Sequence, residues 1–371
     1  MARRPSKKKM RRQAMTLAVI LIIIVALLLV AFASKAFGNE DLFSAIMDLL
    51  DPDGSAPTTT QPHHEIPTPE GSVAVYFIDV GQADATLIVA PTGEKMLIDA
   101  GKELRSSYPD ADNYFSEHGI TELDYLVFTH YDYDHIGSGS AILELCQVDN
   151  VIYYDYEPES ATGKNLVTAI EAEPDCNRIN PQRGYTFTMG GIFFEILSEK
   201  TTEDNLDSNE NENSVCLMMT YGDTKFLFTG DAEVEREEEL IGNYGSALDA
   251  DVFQAGHHGA ANANTKAFMD LVTPDYAIFS CGTGNSYGHP TAEAMDHIDD
   301  HAETILRTDL QGTIILYTDG TAITYTVEKS GTASTWINSR AFLLFPFHGG
   351  MTHHPFLGRG VFICPRYCAR R

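Results

Sequence analysis

Residues 126–137 read Leu126-Val127-Phe128-Thr129-His130-Tyr131-Asp132-Tyr133-Asp134-His135-Ile136-Gly137, an apolar run that passes straight into four potential metal ligands within six positions. Side chains at i, i+2 and i+4 of a strand share a face, so His130, Asp132 and Asp134 point one way as the strand ends. His135 joins them once the chain turns, and the alternation separates these ligands from Tyr131 and Tyr133. A surface loop with two His and two Asp would seldom follow a buried strand and lead directly into Ile136-Gly137-Ser138-Gly139. Histidines and carboxylates at this spacing predict a metal site.

The 371-residue chain has room for one large or two modest globular domains. Its first segment stands apart from them. Arg3, Arg4, Lys7, Lys8, Lys9, Arg11 and Arg12 precede an uncharged stretch that is apolar throughout from 17 to 33. At about 1.5 Å per residue, that stretch nearly spans a bilayer core of about 30 Å. The pattern predicts a basic cytoplasmic segment at 1–15, a single transmembrane helix at 16–34, and everything downstream outside the cell membrane. The rival is a cleaved signal peptide ending near Ala31-Phe32-Ala33, which would make the protein secreted; the apolar run exceeds the usual ~7 to 15 residues of such a signal.

Residues 35–71, a short amphipathic piece around 41–50 followed by a stretch from 51 rich in Pro, Thr, Gly and Ser, are expected to form a linker or stalk, with His63 and His64 as solvated residues within it. A folded domain is expected at 72–328. The chain holds 25 Lys+Arg against 53 Asp+Glu, a net charge of −28, and eight of those cations lie before residue 36, so the remainder is more acidic still. Such a field repels polyphosphate backbones and argues against a broad nucleic-acid groove. Residues 329–371 differ in kind, with six basic residues and no Asp or Glu. That tail has no assigned role, and its His348, His353, His354, Cys364 and Cys368 lack the paired spacing of a zinc site. Cys216 and Cys281 sit in apolar runs and are expected to be buried thiols.

Within 72–328, strand-like runs at 73–80, 85–89 and 96–100 predict consecutive hairpins. Further strand-like runs fall at 125–129, 151–154, 192–197, 215–221, 225–229, 252–255, 277–281 and 313–317. Helical patterns at 140–146, 165–172, 233–241, 265–271 and 291–301 interleave with them. Antiparallel strands with interspersed helices predict an α+β fold of two sheets covered by helices.

Three of these runs repeat the form of the opening stretch. Strand 225–229 ends in Gly230-Asp231, strand 252–255 leads through Gly256 to His257-His258-Gly259, and strand 277–281 leads through a glycine-rich loop to Tyr287-Gly288-His289. Taken alone, Asp231 reads equally well as the N-cap of the next helix, and His289 as a loop residue packed beside Pro290. Taken together, they are strand ends converging on one edge of a sandwich.

These motifs run in one order with Phe77-Ile78-Asp79-Val80-Gly81-Gln82-Ala83-Asp84-Ala85, Leu97-Ile98-Asp99-Ala100-Gly101 and Asn211-Glu212-Asn213-Ser214. In this the chain resembles the metallo-β-lactamase superfamily, and within it the extracytoplasmic hydrolase domain of the ComEC competence proteins. The resemblance implies an αββα sandwich with two divalent metal ions at one sheet edge. By it, His130 and Asp132 bind one ion, Asp134 and His135 bind the other, and Asp231 bridges them. His257 or His258 completes the second ion's shell. Asp132 stands where the commonest form has histidine, and Asn213-Ser214 lies about where many relatives supply another. Zinc is the first expectation, but both departures make the first site richer in oxygen, which weakens the case for zinc alone and makes Mn²⁺ the alternative. Ala83 also replaces the glycine usual in the ComEC motif.

Two such ions lower the pKa of a bridging water and stabilise charge on the attacked centre. Asp134 is then expected to orient the nucleophile, and His289 to contact the substrate or protonate a leaving group, with Tyr287 and Asn213 as substrate-binding residues. Asp79, Asp84 and Asp99 are expected to hydrogen-bond the ligand imidazoles from behind. The expected function is a membrane-anchored, extracytoplasmic, binuclear metal-dependent hydrolase, a phosphodiesterase or nuclease-like enzyme of the ComEC type. One candidate span cannot form a transport channel, so a DNA-uptake channel would be a separate partner. The alternatives are hydrolysis of a small phosphoester such as choline-phosphate, of a lactone or of a lactam, and a non-catalytic surface binding module on the same fold.

Overall fold

The computed structural model describes residues 68–103, 111–200 and 210–329. The basic segment, the expected membrane helix or signal at 16–34, linker residues up to 67 and the tail from 330 lie outside the described residues. Among the described residues no helix is long and apolar enough to cross a membrane.

In the first half, β1 (Val73–Phe77), β2 (Thr86–Val89) and β3 (Lys95–Ile98) pair in turn as antiparallel neighbours, the hairpins the sequence predicts. Helix α1 (Ala111–His118) then leads to β4 (Glu122–Val127), parallel to β3. Helices α2 (Tyr133–Ile136) and α3 (Gly139–Leu145) carry the chain to β5 (Gln147–Ile152), and α4 (Ala161–Ala172) to β6 (Asn177–Ile179), both parallel additions.

The second half repeats the plan. Strands β7 (Thr186–Met189), β8 (Ile192–Ile196), β9 (Leu217–Tyr221) and β10 (Thr224–Phe228) run antiparallel. Then α5 (Val234–Tyr244), β11 (Val252–Gln254), α6 (Lys266–Val272), β12 (Tyr276–Phe279), α7 (Ala292–Asp299) and β13 (Thr304–Arg307) alternate, with each new strand parallel to the last. After the one-turn α8 (Thr308–Gln311), β14 (Ile314–Thr318) returns beside β1, and β15 (Ile323–Val327) closes that edge. The sheet orders are β15-β14-β1-β2-β3-β4-β5-β6 and β13-β12-β11-β10-β9-β8-β7. Both sheets are therefore mixed, where the sequence suggested antiparallel strands. Parallel neighbours need a crossover, and the interleaved helices supply it.

Alternate side chains of each strand sort the layers. Phe77 from β1 and Phe226 and Phe228 from β10 enter the core between the sheets, where the rings of Phe77 and Phe228 stack with centroids 6.4 Å apart. Full burial of each such ring stabilises the fold by about 1.5–3 kcal/mol. Ala74 and Tyr76 turn the other way, into an apolar layer with Phe115 of α1, Ile142 of α3 and Leu166 of α4. Leu227 and Phe253 likewise join Leu240 of α5 and Phe268 of α6. The layers thus run helix, sheet, sheet, helix. Ser160, Thr265 and Thr291 start α4, α6 and α7 by accepting hydrogen bonds from Gly163, Phe268 and Ala294 backbone N–H groups. Cys216 and Cys281 are buried free thiols, as expected of their apolar surroundings.

Candidate metal centre

Four backbone features bring the ligand residues to one edge. Strand β4 runs out through Phe128 and Thr129 to His130, and α2 begins at once, so its single turn rolls Asp134 and His135 toward the second sheet. Asp231 follows β10 through Gly230, which has φ +54°. A Cβ on Gly230 would lie 2.9 Å from Thr129 Cβ, so only glycine lets the two sheet edges meet here. His257 and His258 follow β11 in a 3₁₀ turn where both take positive φ, 49° and 53°, a conformation uncommon outside glycine. That turn splays the two rings, with planes 63° apart.

Asp231 is the focus. Its Oδ1 lies 3.1 Å from His135 Nε2, and its Oδ2 lies 3.6 Å from His257 Nε2, 3.7 Å from His258 Nε2 and 4.0 Å from His130 Nε2. Asp132 Oδ2 is 3.8 Å from His130 Nε2, and Asp134 Oδ2 is 3.6 Å from His258 Nε2. His130, His135, His258 and Asp231 are buried, yet the three Nε2 atoms and Asp231 Oδ1 have no hydrogen-bond partner. Leaving one buried polar atom unsatisfied costs about 1–3 kcal/mol, and four on one point describe a cation site. The residues fit a divalent metal.

Behind the imidazoles, acceptors fix which nitrogen faces inward. Asp99 Oδ2 accepts from His135 Nδ1 at 2.7 Å, and the Ser280 carbonyl accepts from His258 Nδ1 at 2.9 Å. Thr129 Oγ1 donates to Asp99 Oδ2 at 2.7 Å and therefore accepts from His130 Nδ1 at 3.0 Å. Each ring thus turns Nε2 toward Asp231, the tautomer-setting arrangement of metal-binding histidines. Of the two adjacent histidines, only His258 lies close to both Asp134 and Asp231. His257 instead sets Nδ1 3.3 Å from Glu233 Oε1 and is partly exposed.

The charges follow from burial and crowding. Burial and the charge on His135 push the His130 pKa down to about 3. At His135 and His258 burial also opposes the cation, but the carboxylates of Asp231 with Asp99 and Asp84 outweigh it and hold both pKa values well above the usual imidazole value. Burial likewise opposes ionisation of Asp231, and the surrounding imidazoles hold it well below the usual carboxylate range. Asp132 is pushed up to about 6 by burial and the charge of Asp134. His289 is pushed down to about 4 by burial and by the charges of His258 and His257.

The remaining residues expected at the site fall at its rim or behind it. The His289 ring packs edge-on to His257 at 5.6 Å, and Tyr287 covers His289 at 5.6 Å with 63% of its own surface exposed. Asn213 is wholly buried, next to Ser214, whose Oγ accepts from Asp231 N at 3.0 Å and lies 3.5 Å from His130 Nδ1. Asp99 supports a ligand imidazole as expected, and Asp84 Oδ1 lies 3.4 Å from His258 Nδ1. Asp79 does not: it accepts from Gly81 N at 3.4 Å and pairs with Lys329 Nζ at 2.9 Å. Nor is Asp231 a helix cap, since Glu233 occupies the N-cap position of α5. Sequence reasoning missed Thr129 and Glu233, and it missed Lys102, whose Nζ lies 3.6 Å from Asp134 Oδ2. Thr129 sits inside the opening motif and was available, whereas Glu233 is hidden in an acidic run and Lys102 is one polar residue after a strand.

Two helix-covered mixed sheets with a buried His–Asp cluster at their shared edge define a class, the αββα metal-dependent hydrolases. The metallo-beta-lactamase superfamily model matches residues 78–283, more than half of the chain, and the chain belongs to that superfamily. In sequence it is similar to ComE operon protein 3 of Bacillus subtilis (strain 168), 31% identical over 256 residues, covering 65% of this chain and 32% of that protein. It is also similar to competence protein ComA of Neisseria gonorrhoeae, 30% identical over 246 residues, covering 66% of this chain and 32% of that protein. Both are ComEC-type competence proteins, and the chain spans about a third of the length of these relatives. Among solved structures it is similar to CmlA, a diiron beta-hydroxylase from Streptomyces venezuelae, with a TM-score of 0.44 and 18% identity over 65% of this chain and 53% of that one.

Proposed function

We propose that the chain is a binuclear phosphodiesterase, comparable to the hydrolase part of ComEC-type proteins and held outside the cell membrane by its 16–34 segment. The observation that carries the reading is the convergence of His130 Nε2, His135 Nε2, His258 Nε2 and Asp231 Oδ1, all buried and without hydrogen-bond partners. In this reading His130 and Asp132 hold one ion, Asp134, His135 and His258 hold the other, and Asp231 serves both. His257 stands aside with Glu233. Zinc is the first candidate metal, and the carboxylate of Asp132 in place of an imidazole keeps Mn²⁺ as the second.

A pair of divalent ions held there would supply an acidified water and neutralise charge on the phosphoryl group. The protein side of the reaction rests on positioning. Asp134, on the open side of the cluster, accepts a hydrogen bond from the attacking water and so orients it. His289, with its depressed pKa, is a neutral imidazole at pH 7 and acts as a hydrogen-bonding group toward substrate. Tyr287 adds an exposed ring beside it, and Asn213 is wholly buried next to Ser214. The net charge of −28 favours a short phosphodiester, or a single strand delivered by a separate uptake channel, over capture of long duplex. The same charge supports a second reading, a small phosphoester such as a choline-phosphate group; a lactone or lactam completes the set.

The test is a substrate panel on zinc- and manganese-loaded protein, comprising bis-p-nitrophenyl phosphate, single-stranded DNA, a choline-phosphate ester, a lactone and a lactam. Phosphodiester cleavage that a chelator abolishes and added metal restores is expected. Turnover of the lactam or lactone alone would overturn the reading.

A further inference from the structure

The metal centre is surrounded by carboxylates, and among the described residues one Lys or Arg side chain forms an ion pair with it. That residue is Lys102, with Nζ 3.6 Å from Asp134 Oδ2. Other cations are engaged away from the centre: Arg183 and Arg236 with Glu239, Arg307 with Asp309, Lys266 with Asp270, and Lys329 with Asp79.

The Lys102 backbone is built into the ligand loop. Ala100 N donates to the His135 carbonyl at 2.7 Å, Ser138 N to the Gly101 carbonyl at 3.2 Å, and Ser138 Oγ to the Lys102 carbonyl at 3.2 Å. Gly137 permits the close approach, since a Cβ there would lie 2.8 Å from Lys102 Cα and 2.7 Å from Glu103 N. Lys102 therefore keeps its place relative to Asp134 and His135.

The pair lies on the open side of the centre. The side chains of Lys102 and Asp134 are 19% and 21% exposed, while those of His130 and His135 are at 0%. An ammonium carries three donors, and one carboxylate at 3.6 Å leaves capacity for a second anion.

We propose that Lys102 anchors the substrate, its ammonium binding a non-bridging oxygen of the scissile phosphodiester and so favouring anionic phosphoryl substrates over neutral esters and lactams. This deepens the phosphodiesterase reading and rests on it. The experiment compares wild type, Lys102→Met and Lys102→Arg, each metal-loaded. It reads metal content, the Kd for inorganic phosphate by titration calorimetry, and KM and kcat for bis-p-nitrophenyl phosphate. Loss of a charge-assisted hydrogen bond is expected to weaken phosphate binding and raise KM in Lys102→Met by about tenfold or more. Metal content should be unchanged, and Lys102→Arg should recover most of the loss. Metal loss in Lys102→Met would mean that the residue acts through Asp134, and unchanged KM and phosphate Kd would mean that it touches no substrate; either result overturns the proposal while leaving the phosphodiesterase reading intact. Metal-loaded wild type that cleaves no phosphodiester overturns that reading instead, and this one with it.

Discussion

The two sheets contribute to the metal centre in opposite ways. The first supplies His130, Asp132, Asp134 and His135 from six consecutive positions, backed by one carboxylate, Asp99, which takes hydrogen bonds from His135 Nδ1 and from both N and Oγ1 of Thr129. The second supplies Asp231 after β10, His258 after β11 and His289 after β12, a single group from each of three strand ends. One half is a local turn held by its own neighbours. The other exists only when the parallel strands β10, β11 and β12 are in register, and it holds the carboxylate on which the ligand Nε2 atoms converge.

Removing Asp231 should separate the halves most sharply. Asp231→Ala takes away the one oxygen pair that lies within 4.0 Å of four imidazoles. Its metal affinity is expected to fall well beyond the roughly 10- to 100-fold that loss of an outer partner costs. Equilibrium dialysis with elemental analysis reads it directly, and full occupancy in the variant would show that the second sheet does not close the site.

Asp99→Asn probes the other half and should have a smaller effect. The amide keeps the shape but no longer offers His135 a carboxylate, so metal affinity should drop by about 10- to 100-fold while the fold persists. Unchanged affinity by calorimetry would mean that Asp99 serves only the Thr129 turn.

A pH dependence engages both halves at once. His135 from the first sheet and His258 from the second have raised pKa values without metal, so protons occupy the positions a cation needs. Metal affinity should therefore rise with pH, by about tenfold per unit for each proton displaced. In the metal-free protein the sign reverses. A histidine whose folded pKa is raised contributes stability that is fully present below about pH 6.5 and is lost as pH rises through the folded value. The thermal shift caused by saturating metal should then grow from pH 6 to pH 8, and a constant shift would show that neither histidine is protonated in the metal-free state.

Legibility divides along the same line. The first half was readable because strand 126–129 and its ligands are contiguous, so a period-2 pattern sufficed. Asp231 and the His257-His258 pair were readable only as repeats of strand, glycine and ligand. Choosing between the two histidines needed the positive-φ turn that buries one of them, which no residue pattern encodes. The parallel character of both sheets was missed because β6 and β13 are short and mostly exposed or half-buried, leaving little apolar signal at either edge. Asp79 and Asp99 looked alike, each an acid after an apolar strand, but Asp79 is held by Thr313 through its backbone N and by Lys329 through its carboxylate rather than by an imidazole.

The most direct test of a binuclear centre shared by the two sheets is metal stoichiometry with anomalous diffraction on metal-reconstituted protein. The expected result is two ions per chain with Asp231 between them, one beside His130 and the other beside His135 and His258. A single ion, or ions lying away from Asp231, would contradict it.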